Sequence, residues 1–195
     1  MGDKNIFRWG GFVSILAGIL WVNGTLLLYL ATQYDIGTAL LGQVLRFSSS
    51  LFFVLTITAL YSSQFRQSGK MGFVSFVLAV LGVSLNVIPE YLLLSALAGS
   101  SSAVLEMNNA SPVALITTYT YLIGTAWFGI ATFFASVLPK WGALFFAVGV
   151  ILSAMPNLNE VFPLILFPIG AFLGGSGLIW MGWALLKSRP ALGPG

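Results

Sequence analysis

The charged residues alternate in sign along the gaps between apolar runs, and this alternation is the feature that most constrains the fold. Eight residues are Lys or Arg and five are Asp or Glu in a chain of 195. Cytoplasmic loops of membrane proteins carry an excess of Lys and Arg. Six crossings with both termini in the cytoplasm place seven of the eight basic residues on one side. Apart from Asp3 at the start and Arg46 and Glu90 within the apolar runs, the charged residues occur in the order Lys4 and Arg8, Asp35, Arg66 and Lys70, Glu106, Lys140, Glu160, Lys187 and Arg189.

The composition indicates that lipid is the solvent of this chain. It is 58% hydrophobic and 7% charged, whereas soluble domains carry roughly 25% charged residues. Only helices and closed barrels satisfy their backbone polar groups within lipid, and barrel strands alternate apolar with polar residues. Residues 12–20 and 144–152 are apolar all round. The sequence therefore predicts an all-α fold, a six-transmembrane-helix bundle in the cell (inner) membrane.

The apolar runs predict one polytopic membrane domain over residues 1–195. A span needs about 20 residues. The first run, residues 10–31, is longer than the roughly 7–15 apolar residues of a signal peptide, so we expect it to be a membrane helix. The predicted helices cover about 9–31, 40–62, 71–98, 112–137, 139–156 and 162–186.

Two formal charges fall inside these spans, and the topology brings them to the same depth. Arg46 lies about two turns into the second predicted helix, and Glu90 about two turns from the outer end of the third. An unpaired charge at the bilayer centre costs about 2.5–3.5 kcal/mol on insertion scales. We therefore expect an ion pair, direct or through water.

Further polar residues share this outer half, which makes it the candidate site. Three interpretations stay open: a structural cluster that joins helices, with Arg46 free to extend to the headgroups; a ligand or ion site; and a proton relay. An open cavity lined by these side chains would favour a ligand site, whereas side chains that close on one another would exclude it. The candidate residues are Arg46, Glu90, Asn86, Asn23, Ser49, Ser50, Tyr119 and Tyr121, with Thr118 beside them.

The last predicted helix is rich in glycine. Gly170 and Gly174 form a GxxxG motif, and Gly177 lies nearby. Such spacing permits close approach between membrane helices. Two interpretations of the motif stay open: packing within the bundle, and a face that binds a second copy or a partner subunit.

The residue inventory excludes several chemistries. The chain has no Cys and no His, so the usual haem ligands are missing and thiolate metal sites are excluded. Gly174-Gly175-Ser176-Gly177 matches the GxSG of rhomboid proteases, but that nucleophile needs a histidine base. We expect no metal, no cofactor, no catalytic residue and no nucleic-acid partner.

Residues 115–189 combine the fourth predicted helix, the turn 138–142, a Gly/Val-rich helix and the ending 177–187. In this pattern the second half of the chain resembles uncharacterised bacterial six-helix integral membrane proteins of unknown function. It implies an inner-membrane protein of this topology and transfers no site residues.

Two functions follow as expectations. The first is a non-enzymatic membrane protein, an accessory or structural subunit of a membrane complex, with the bilayer and other subunits or a second copy as partners. The second is binding or transport of a lipid-like or small amphipathic molecule through the outer-half polar site.

Overall fold

The computed structural model describes residues 3–31, 36–99, 112–158 and 163–187, and these residues form helices without a strand. The sequence predicts six helices, whereas the described residues contain five, because the second and third predicted helices form one element. The bounds are α1 (Asp3–Ala31), α2 (Ile36–Leu97), α3 (Pro112–Ala135), α4 (Lys140–Leu158) and α5 (Leu166–Lys187).

Helix α2 is divided at Gly69, the one residue of its 62 with non-helical backbone angles. Its φ of 56° and ψ of −155° fall close to a region that is essentially restricted to glycine. A Cβ on Gly72 would overlap the side chain of Ser68, so the turn also needs glycine there. We call residues 36–68 the first arm of α2 and residues 70–97 the second arm.

The two arms lie against each other along their length. The rings of Tyr61 and Phe76 stack with centroids 4.2 Å apart, and Arg46 pairs with Glu90 near the far ends. Arg46 and Glu90 are 44 residues apart, which is about 66 Å along a straight helix. The contacts therefore require that α2 folds back on itself at Gly69.

Three of the described helices are long and apolar enough to cross a membrane: α1, α2 and α5. Helix α4 is also apolar, but its apolar stretch, Lys140–Met155, is shorter. Helix α3 has 24 residues, and threonine and tyrosine recur between Thr117 and Thr125. Many large apolar side chains point outward, among them Phe134 at 69% and Phe172 at 63% exposure. An apolar outer surface of this extent suits lipid rather than water.

The helices form a closed ring in which each packs on its neighbours in sequence, and α5 packs on α1 to complete it. The aromatic rings of Trp21, Phe53 and Phe146 meet in series in the centre, with centroid separations of 5.3 and 6.2 Å. They connect α1, the first arm of α2 and α4 through one core.

Glycines of α5 let this ring close. Cβ atoms at Gly170 or Gly177 would overlap the backbone of α4, and one at Gly174 would overlap the ring of Trp21. On the other side, Gly175 and Gly182 approach the backbone carbonyls of α1. The predicted GxxxG spacing therefore serves contacts within this chain on two faces of α5.

Contacts near the turn of α2 show which helix ends lie together. Gly10 packs against Ala59 of the first arm. Gly11 packs against the carbonyl of Gly182 in α5. Gln64 Nε2 donates a 2.7 Å hydrogen bond to Thr132 Oγ1 near the end of α3. We call this the basic end, because it holds every basic residue with a described side chain except Arg46: Arg8, Arg66, Lys70, Lys140 and Lys187.

Candidate functional site

The expected ion pair between Arg46 and Glu90 is present in the structure. Arg46 Nη2 lies 2.5 Å from Glu90 Oε1, and the two side chains are 18% and 7% exposed. The pair joins the two arms of α2, near the end of the bundle opposite the basic end. Removing either charge would leave the other unpaired in a low-dielectric interior, where an unpaired charge is most costly.

Gln43 completes the polar cluster and was not among the candidate residues. Its side chain is fully buried, and its Nε2 donates to both Glu90 Oε2 at 2.6 Å and the Glu90 carbonyl oxygen at 2.8 Å. Both carboxylate oxygens of Glu90 therefore have a donor. A signal was available in the sequence, because Gln43 lies one helical turn before Arg46 and shares its face.

The guanidinium of Arg46 also contacts α5. Its Cζ lies 4.9 Å from the centre of the Phe167 ring, which is within the range of a cation–π interaction. Arg46 is thus held by a carboxylate on the second arm and by an aromatic face on α5. It does not extend freely to the headgroups, which was one expectation for an arginine at this depth.

The space beside the pair is small. Polar and aromatic side chains enclose a cavity of about 10 Å³, which is near the lower limit for a single water molecule. Six of the eight candidate residues close around this space, and the opening expected of an outer-half ligand site is not found among them. The lining residues are Trp21, Arg46, Ser49, Ser50, Phe53, Val83, Asn86, Glu90 and Tyr121.

Two of the candidate residues do not join this cluster. Asn23 is exposed, and its Nδ2 donates to the carbonyl of Ile19 in its own helix at 2.8 Å. Tyr119 is 46% exposed and lines a separate cleft with Leu78. Depth alone placed both with Arg46, but each lies on a helix face that points away from it.

The two serines of the candidate set bind backbone carbonyls. Ser49 Oγ donates to the Ala17 carbonyl at 2.9 Å and so joins the first arm to α1. Ser50 Oγ donates to the Arg46 carbonyl at 3.2 Å within its own helix. Ser14 makes a similar interhelical bond to the Leu178 carbonyl at 2.9 Å. The bonds of Ser49 and Ser14 therefore hold neighbouring helices together, whereas the bond of Ser50 stays within the first arm of α2.

The side chains that most often bind metals do not gather in the described part of the chain. No group of three or more His, Cys, Asp or Glu side chains occurs there. Glu90, the carboxylate within the bundle, is already engaged by Arg46 and Gln43. Chemically, the arrangement holds a neutralised pair rather than an open ligand shell.

Comparison with protein-family models, with curated proteins and with solved structures found no match to this chain. The resemblance of residues 115–189 to six-helix bacterial membrane proteins therefore rests only on the residues that carry it.

A double-mutant cycle tests whether the pair stabilises the fold. We expect Arg46→Met and Glu90→Gln each to lower the free energy of unfolding by about 3–5 kcal/mol, since each leaves one buried group unpaired. The double variant should lose less than the sum, with a coupling energy of about 0.5–3 kcal/mol. Unfolding in mild detergent, followed by circular dichroism, measures all four proteins. Additive effects would show that the two side chains do not interact.

Proposed function

We propose that the protein is a non-enzymatic integral membrane protein that crosses the cell (inner) membrane six times, with both termini in the cytoplasm. We further propose that it serves as an accessory or structural subunit of a membrane complex. The observation that carries the proposal is the closed cluster of Arg46, Gln43 and Glu90, in which the membrane-depth charges are used to join helices.

The shape of α2 and the position of the basic residues support six crossings. Each arm of α2 is longer than the about 20 residues that a span requires, and the arms run in opposite directions. Five basic residues share the basic end, as expected if that end faces the cytoplasm. Helices α1, α3, α4 and α5 would each cross once.

The closed cluster supports a structural rather than a catalytic or transport role. A proton relay or a transported molecule needs a group that can change partners, whereas Glu90 is held by three contacts from two side chains. The cavity of about 10 Å³ beside the pair is too small for an amphipathic molecule. Binding of a lipid-like molecule at the outer-half cluster, the alternative function, is correspondingly disfavoured.

The outer surface supports association with other membrane proteins. The glycines of α5 are used within the chain, so a partner would meet the large apolar side chains on the outside of the ring. The exposed side chains there include those of Trp9, Phe12 and Trp141. Aromatic residues of this kind are enriched in protein interfaces as well as at membrane interfaces.

Cysteine labelling tests the topology, because the native chain has no cysteine. Single variants Lys70→Cys and Ala98→Cys place one thiol at each end of the second arm, at exposed positions. In intact cells, a membrane-impermeant maleimide should label Ala98→Cys and should label Lys70→Cys only after permeabilisation. Labelling of both positions from the same side would contradict the six-crossing topology.

Blue-native electrophoresis tests the role as a subunit. After solubilisation in mild detergents, the protein should migrate in a complex larger than one chain of 20.8 kDa in its detergent micelle, and the complex should dissociate in a harsh detergent. Purified protein that has been denatured and refolded alone is the control for micelle size. A lone monomer in every mild detergent would count against the proposal.

A further inference from the structure

A cleft of about 550 Å³ opens on the outside of the α2 hairpin, next to its turn. Apolar side chains from both arms form its walls, and they are strongly exposed: Phe65 is 60%, Phe73 53% and Val74 45% exposed. Tyr61 lies at its base, and the turn residue Gly69 borders it. The cleft is therefore apolar along the arms and ends at the surface of the bundle.

A basic residue lies at the turn end of this cleft. Lys70 lines it, and the exposed side chain of Arg66 follows Phe65 on the first arm. Among the described residues, neither Lys70 nor Arg66 has an acidic side chain within ion-pair distance. Lys70 thus lines an apolar cleft without a counter-ion from the described part of the protein, and Arg66 is a second exposed positive charge near the turn.

Two other clefts on the lipid-facing surface provide a comparison. One, of about 400 Å³, lies between α1 and α5 and is lined by residues such as Leu26 and Phe172. Another, of about 360 Å³, lies between the second arm and α3 and is lined by residues such as Leu78 and Ile123. Neither has a charged residue in its lining. Both suit any acyl chain, whereas the hairpin cleft adds a cation at its end.

We propose that the hairpin cleft binds one anionic phospholipid, with an acyl chain against Phe65, Phe73 and Val74 and the headgroup phosphate at Lys70. Basic pockets between membrane helices bind anionic headgroups in this manner, and an ammonium group binds phosphate as a compact charge. A zwitterionic phospholipid with the same acyl chains fills the apolar part equally, but the positive group of its headgroup is repelled by Lys70. The inference depends on the protein lying in a bilayer and not on its role as a subunit.

Lipid retention tests the site directly. The whole protein is purified in detergent, incubated with phosphatidylglycerol or phosphatidylcholine of identical acyl chains, and bound lipid is counted by native mass spectrometry. The wild type should retain phosphatidylglycerol in preference to phosphatidylcholine. Lys70→Gln should weaken phosphatidylglycerol binding about fivefold, the effect of one basic residue near a lipid surface, and Lys70→Arg should restore it.

Matched variants separate this site from general surface charge. Lys140 is exposed at the same end of the bundle but lies over the ring of Phe133, 6.0 Å from its centre, outside the cleft. Lys140→Gln should therefore leave phosphatidylglycerol retention unchanged. Val74→Trp should lower retention with Lys70 intact, because the indole fills the cleft.

Several results would overturn the assignment. The assignment is wrong if the wild type retains the two lipids equally. It is also wrong if Lys70→Gln and Lys140→Gln have equal effects, or if Val74→Trp retains phosphatidylglycerol in full. If millimolar inorganic phosphate displaced bound phosphatidylglycerol as effectively as added phosphatidylglycerol does, the cleft would be a simple phosphate site instead. Detergent solution exposes both ends of the protein, so a failure here is distinct from a failure of the topology or of the subunit role.

Discussion

The ion pair between Arg46 and Glu90 is the contact on which the rest of the structure depends. Because the partners lie 44 residues apart in one helical element, their contact requires the reversal at Gly69. The reversal then brings the basic residues on either side of the turn to the same end as the start of α1 and the end of α5. In lipid, where an isolated charge is costly, pairing also gives this register an energetic preference over others.

The fold also requires that the ring of helices closes, and closure depends on the close approach of the backbones of neighbouring helices. Helix α5 lies between α1 and α4, and its glycines allow carbonyls and Cα atoms of all three helices to approach closely. Between membrane helices the apolar side chains gain little from leaving lipid, so close packing and hydrogen bonds carry association. The bonds of Ser14 and Ser49 to carbonyls on neighbouring helices fit this principle.

Much of the fold followed from the sequence, because the sign of the loop charges and the length of the apolar runs indicate how deep each residue lies in the membrane. The all-helical class follows from runs that are apolar all round, and the meeting of Arg46 with Glu90 follows from their common depth. Rotation about a helix axis is not encoded in depth, and for that reason Asn23 and Tyr119 were grouped with residues they do not contact. Gln43 could have been found from its spacing to Arg46, whereas the contact with Phe167 depends on how α5 approaches the hairpin. The single-residue turn at Gly69 needed the structure, since Ser, Gly and Lys in a polar segment also fit an ordinary loop.

The distance between the arms of α2 in a bilayer tests the central claim most directly. Val44 and Ile88 are exposed to the outside of the bundle, and spin labels on Val44→Cys and Ile88→Cys in an otherwise cysteine-free chain report their separation by pulsed electron paramagnetic resonance. A hairpin places the two helix axes about 8–10 Å apart, so we expect a label separation well below about 30 Å. A continuous helix would separate the positions by about 66 Å, and a distance near that value would contradict both the reversal at Gly69 and the pairing of Arg46 with Glu90.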